Sequence, residues 1–182
     1  LGKVSVKVQE LMKNYPPVFE NKIKRDFFKS ALFYHRKQHG IVKISRWTYD
    51  TELSELYDLQ KLYLDIQNSP DFFSYEEGND DEKVWWLNFA DEYLFGYYGS
   101  NLFAQDEIQT FEHPLLGSIV EFLDSKNIPE MDSLTEEKKR VTPYLIEDIP
   151  QWINVNVNPT LPNGEKGNIY GVISENKVPH FK

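Results

Sequence analysis

Two neighbouring carboxylates, Asp106 and Glu107, follow a stretch from Tyr93 to Phe103 that sets Gly96 and Gly99 among aromatic residues. Such a pair suits glycosidic chemistry, in which a carboxylic acid protonates a leaving oxygen and water adds to an oxocarbenium-like centre. Shielding Glu107 from water would raise its pKa and keep it protonated for that step. Asp106 could accept hydrogen bonds from sugar hydroxyls, and the glycine-containing loop could hold a phosphorylated sugar. The same residues also have ordinary structural uses. A glutamate in a first helical turn is stabilised by the helix terminus, and an aspartate there caps it.

The residues around the pair divide in the same way. Gln105 could orient the loop or be an exposed amide. Asn88 and Asp91 could touch a sugar or satisfy a backbone turn. Tyr97, Tyr98 and Phe103 could stack on a base or ribose, or fill the hollow that a ligand would occupy. His35, His39, His113 and His180 lack the spacing of a metal site or a Ser-His-Asp arrangement, so neither metal nor cofactor is expected. Trp47, Trp85, Trp86 and Trp152 read as core and ligand-shell packing.

Elements that must position these side chains follow from hydrophobic spacing. Val4 to Met12 reads as a short helix through Val4, Val8, Leu11 and Met12, interrupted at Pro16 and Pro17. A second helix from about Val18 to Arg36 presents Ile23, Phe27, Ala31 and Tyr34, with Phe28 and Leu32 beside them and Gly40 as its stop. Ile41 to Arg46 reads as a strand, as does Leu59 to Asn68. The acidic run from Glu76 to Glu82 reads as a solvated turn. Lys83 to Phe89 is apolar on both faces and is expected to be a central, covered strand. Helices are expected over Gln105–Phe111 and Leu115–Leu123, with Pro114 at the start of the latter, and then a polar connector with a short helix up to Arg140. Tyr144–Ile146, Trp152–Val157 and Ile169–Ile173 are short β-capable pieces, the last two joined by a turn at Asn163 and Gly164.

The 182 residues suit one domain spanning the chain. A net charge of -9 argues against general nucleic-acid binding, which needs clustered Lys and Arg. The absence of cysteine excludes disulfides, thiolate metal sites and a cysteine nucleophile. No segment has the length or apolar purity of a membrane span, and the start lacks the order of a signal peptide. An intracellular setting is favoured. The first residue is Leu1 rather than Met, so flanking material is expected outside the sequence.

Asn88 to Leu116 resembles, without a gap, the catalytic region of the poly(ADP-ribose) glycohydrolase family. That pattern is an Asp-Phe-Ala-Asn strand end, a Tyr-Leu step, three glycines, a variable stretch, then Gln-Glu-Glu and an Asn-Pro-Glu-Leu-like segment. Phe89, Ala90, Tyr93, Leu94, Gly96, Gln105, Glu107, Ile108 and Pro114 fit it. Weaker similarity runs through Gly40–Arg46 and Leu64–Glu77, and roughly half the chain is covered. The resemblance implies an α/β fold, a macrodomain-like mixed sheet with N-terminal accessory helices: a helical accessory segment at 1–39 and an α/β portion at 40–182. Because the chain ends early, an incomplete or rearranged version is expected.

By the same resemblance Glu107 is the acid that protonates the departing ribose oxygen and Asp106 holds ribose hydroxyls. Asn88, Phe89, Asp91, Gly96, Tyr97, Tyr98 and Gln105 then form the ligand shell, with ADP-ribose or an ADP-ribosylated protein as partner. Three positions depart from the pattern. Phe95 and Tyr97 stand where the family has glycine, which opposes left-handed dihedrals and close approach of backbone donors to a diphosphate. Asp106 replaces a glutamate, and Asn88 and Asp91 exchange amide and acid. These departures leave open a non-catalytic protein-interaction module, or a binder of ADP-ribosylated protein that does not cleave it.

Overall fold

The computed structural model describes residues 2–48, 83–88, 91–128, 131–137, 140–157, 160, 163–164 and 171–172. Within them the chain is a mixed α/β fold built on a small antiparallel sheet. Strand β1 (Gly2–Lys7) pairs with β2 (Ile41–Arg46), and β2 pairs with β6 (Tyr144–Glu147). The register sets Val4 against Ile44, Val6 against Val42 and Ile44 against Ile146, so one face carries a continuous β-branched layer. Two short pairs complete the strands described: β3 (Leu102–Phe103) with β7 (Gly171–Val172), and β4 (Glu136–Glu137) with β5 (Arg140–Val141).

Among the described residues four helices cover this frame: α1 (Val8–Asn14), α2 (Lys22–His35), α3 (Gln105–Glu112) and α4 (Leu115–Lys126). The main core joins Val6, Val8, Leu11, Val42, Ile44, Leu115, Ile119 and Leu123, all nearly or fully removed from water. A second cluster of Phe103, Ile108, Phe111 and Val155 sits under the side chains of Ile23 and Phe27 from α2. No helix among the described residues is long and apolar enough to cross a membrane.

The strand at Ile41–Arg46 and the helices α2, α3 and α4 fall where the spacing places them, although α2 begins later, at Lys22, behind an Asn21 cap whose side chain accepts from the Lys24 amide. Other expectations are corrected. Residues 2–7 form a strand, because pairing with β2 satisfies their backbone groups and alternation puts Val4 and Val6 inward. The N-terminal segment is therefore not helical throughout; it supplies one edge of the sheet. Tyr34, expected on the inner face of α2, is 80% exposed, and the buried stripe is Lys24, Phe28 and Ala31.

Residues 83–88 form no strand, and Val84, Trp85 and Leu87 are exposed. The connector after α4 holds the β4–β5 pair where a helix was expected. Residues 152–157 belong to no named strand, and β7 pairs with β3 rather than turning back on them. The expected strand at Leu59–Asn68 and turn at Glu76–Glu82 lie outside the described residues.

Candidate functional site

The loop from Tyr93 to Asn101 is a run of tight turns: the Gly96 amide donates to Tyr93 O, Tyr98 to Phe95 O and Ser100 to Tyr97 O. Phe95 takes a left-handed backbone, φ +52°, so its ring does not prevent that conformation, and Gly96 is not where the chain needs it. The amides of Gly96, Tyr98 and Ser100 are thereby consumed within the loop and do not face a ligand. Asp91 Oδ1 accepts from the Tyr93 amide, an Asx-type turn that starts the run.

The loop is seated on the start of α2. Gly99 O accepts from the amides of Glu20 and Asn21, and a Cβ at Gly99 would lie 2.3 Å from Val18 O, so only glycine permits this approach. Tyr98 is 9% exposed; its hydroxyl donates to Glu121 Oε1 at 2.6 Å and accepts from the Val18 amide at 2.8 Å. Its ring meets Phe19 edge-on and covers Gly117, where a Cβ would stand 2.7 Å from it. Tyr98 is therefore a core residue, whereas Tyr97 is 56% exposed. Beneath the loop, Lys24 is fully buried, and its ammonium donates to Tyr98 O at 3.0 Å and Leu102 O at 2.8 Å.

Helix α3 begins after β3 and Ala104, which follow this loop. Glu107 is 3% exposed and Oε2 accepts from the Ala104 amide at 3.1 Å, satisfying one of the donors left unpaired at a helix start. Burial, reinforced by the hydrogen bond and charge of Asp106, pushes the Glu107 carboxyl up to about 7. Asp106 is half-buried beside it. Gln105 is also half-buried, and its Oε1 is enclosed without a hydrogen-bond partner. Asn88 reaches this turn from outside: Nδ2 donates to Gln109 Oε1 at 2.7 Å and lies 3.5 Å from Asp106 O. Phe89 lies outside the described residues.

Two cavities adjoin these elements. The larger, about 640 Å³, runs between residues 83–88 and 143–149 and is also lined by Tyr93, Phe95, Gln109 and His113. The smaller, about 340 Å³, is lined by Asp91, Tyr93–Tyr98, Val120, Asp124 and Ser133. Asn88 borders the larger cavity, Gly96, Tyr97 and Tyr98 the smaller, and Asp91 both. Asp106 and Glu107 line neither. The acid pair is thus neither splayed into solvent nor open to these two hollows: it is tucked between Asn88 on one side and the Lys24-braced loop on the other.

The burial of three polar residues escaped sequence reading. Lys24 is one. Glu112 is another: Oε1 accepts from the Val155 amide at 2.6 Å and its backbone oxygen accepts from the Trp152 and Ile153 amides, while burial lifts the carboxyl to about 7 against that hydrogen bond. The third is His113, 2% exposed, whose Nδ1 lies 3.1 Å from Gln109 O and whose ring is edge-on to Trp86; burial pulls it down to about 4, so it is neutral. For Lys24 the available signal was its place on a helical stripe with Phe28 and Ala31. Among the described residues no three of His, Cys, Asp or Glu converge to hold a metal ion. No family model, curated protein or solved structure matches the chain.

Proposed function

We propose that the chain is a divergent poly(ADP-ribose) glycohydrolase-like domain, macrodomain-like in plan, that binds ADP-ribose and hydrolyses its ribose glycosidic bond. The observation that carries this reading is Glu107: a buried carboxyl at the first turn of α3 that burial and the neighbouring Asp106 make a weaker acid than usual. Proton donation by such a group is what general acid catalysis asks. With its side chain rotated away from the Ala104 amide, Glu107 gives its proton to the departing ribose oxygen as the C–O bond breaks; water adds to the sugar cation and returns a proton to the carboxylate. Asp106 accepts from the ribose hydroxyls, and Asn88, already bonded to Gln109, supports the turn that carries both acids.

Calorimetric titration with ADP-ribose, followed by assay of ribose release from polymeric and protein-linked ADP-ribose, tests the reading. Binding with release that is lost in Glu107→Gln is expected, and no binding at millimolar ligand would refute it. A second reading, a non-catalytic protein-interaction module, is favoured by one observation: the loop amides of Gly96, Tyr98 and Ser100 are already paired with loop carbonyls. Binding without release, unchanged by Glu107→Gln, would instead identify a reader of ADP-ribosylated protein.

A further inference from the structure

We propose that Lys24 is a positioning residue for the acid pair, fastening the loop that leads into α3 and setting a positive charge against Asp106 and Glu107. The inference rests on reading those acids as the functional pair. A lysine with no exposed surface, on the stripe of α2 that otherwise buries Phe28 and Ala31, calls for a reason. Two of its partners are carbonyls from either end of the Gly99–Asn101 turn, Tyr98 O and Leu102 O. Two residues beyond Leu102, the Ala104 amide bonds Glu107 Oε2, so the clamp and the carboxylate share one short piece of chain.

The surroundings make this an electrostatic link as well as a mechanical one. Burial is the main influence on the Lys24 ammonium and pulls it down to about 8; Glu107 and then Asp106 oppose that. Those two carboxylates are the charged groups facing it from α3. On α2, Lys22 and Asp26 pair with each other at the exposed surface, and Arg25 is exposed with its guanidinium on Phe19 O. The loop adds only backbone carbonyls and the Tyr98 phenol, which is turned to Glu121 and Val18. The Phe103 ring lies 6.0 Å from the ammonium. An ammonium in that position favours the ionised form of the acid pair and so opposes the burial and the Asp106 charge that raise Glu107.

The test is a carboxyl ¹³C NMR titration of Glu107 in the full chain. Lys24→Gln keeps donors for both carbonyls but removes the charge, and it is expected to raise the Glu107 midpoint by about one pH unit, from Coulomb attraction in a partly screened interior. Lys24→Arg, which keeps the charge, leaves the midpoint in place. An unmoved midpoint in Lys24→Gln overturns the proposal. Should that variant not fold, the reciprocal measurement decides: Glu107→Gln must lower the ¹⁵N titration midpoint of the Lys24 ammonium, and no change there overturns the link. Neither titration uses ADP-ribose. Failure of ligand binding therefore counts against the glycohydrolase reading alone, and an unmoved midpoint against Lys24 alone.

Discussion

Glu107→Gln is expected to leave the fold unchanged in stability at acid pH and to stabilise it above neutrality. The glutamine keeps an oxygen for the Ala104 amide, which Glu107 Oε2 now meets at 3.1 Å, and its amide can donate to Asp106. What it removes is a buried charge. In the fold the Glu107 carboxyl titrates at about 7 against an ordinary value of 4.5, raised first by burial and then by Asp106. A carboxyl with a raised folded pKa binds its proton more tightly in the native state. Its contribution to stability is therefore greatest below the unfolded pKa, falls as pH rises through the window from 4.5 to about 7, and is constant above it. At ~1.4 kcal/mol per pH unit the step is at most about 3 kcal/mol, and sharing of the proton with Asp106 and contact with solvent reduce it to about 1–3 kcal/mol.

Urea unfolding followed by tryptophan fluorescence, run from pH 4 to pH 8 on both proteins, reads the difference directly. Glu112 and His113 titrate in the same interval, but they are common to both chains and cancel. The variant should match the parent near pH 4 and exceed it by about 1–3 kcal/mol at pH 8. A difference that does not vary with pH, or a less stable variant at pH 8, would refute the assignment of Glu107 as a buried, destabilised acid.

Gly99→Ala puts a Cβ 2.3 Å from Val18 O and disturbs the carbonyl that receives the Glu20 and Asn21 amides. A loss of about 3–5 kcal/mol is expected in the urea midpoint at unchanged slope. Tyr98→Phe keeps the ring against Phe19 but removes the hydroxyl shared by Val18 and Glu121, for a loss of about 2 kcal/mol, read as a lowered Tm with an unchanged far-ultraviolet spectrum.

Local pattern carried β2, α3 and α4 into view, because each has an apolar spacing that its own neighbours satisfy and Pro114 marks where α4 can start. It misplaced β1 because Val4, Val8, Leu11 and Met12 also fit one helical face. Pairing with β2, which begins thirty-four residues after Lys7, decides between the two. Residues 83–88 mislead in the opposite way: both faces are apolar, yet the segment forms no ladder and borders a cavity. The acid pair was legible as two adjacent carboxylates before an apolar run. Its environment was not, since Lys24 reads as an ordinary solvated helix residue until the carbonyls of Tyr98 and Leu102 arrive from more than seventy positions away. Phe95 carries the same lesson for backbone: its left-handed turn is imposed by the hydrogen bonds on either side of it, not by its residue type.

The grip of Glu112 on residues 152–155 has a mechanical consequence. Three hydrogen bonds anchor the trailing end of α3, two to its backbone oxygen and one to its carboxylate. So short a rod, moored at its tail, does not swivel about its long axis to re-aim Asp106 and Glu107. Any motion that re-aims them must come from rotation of their own side chains or from slack in the lead-in at 98–104.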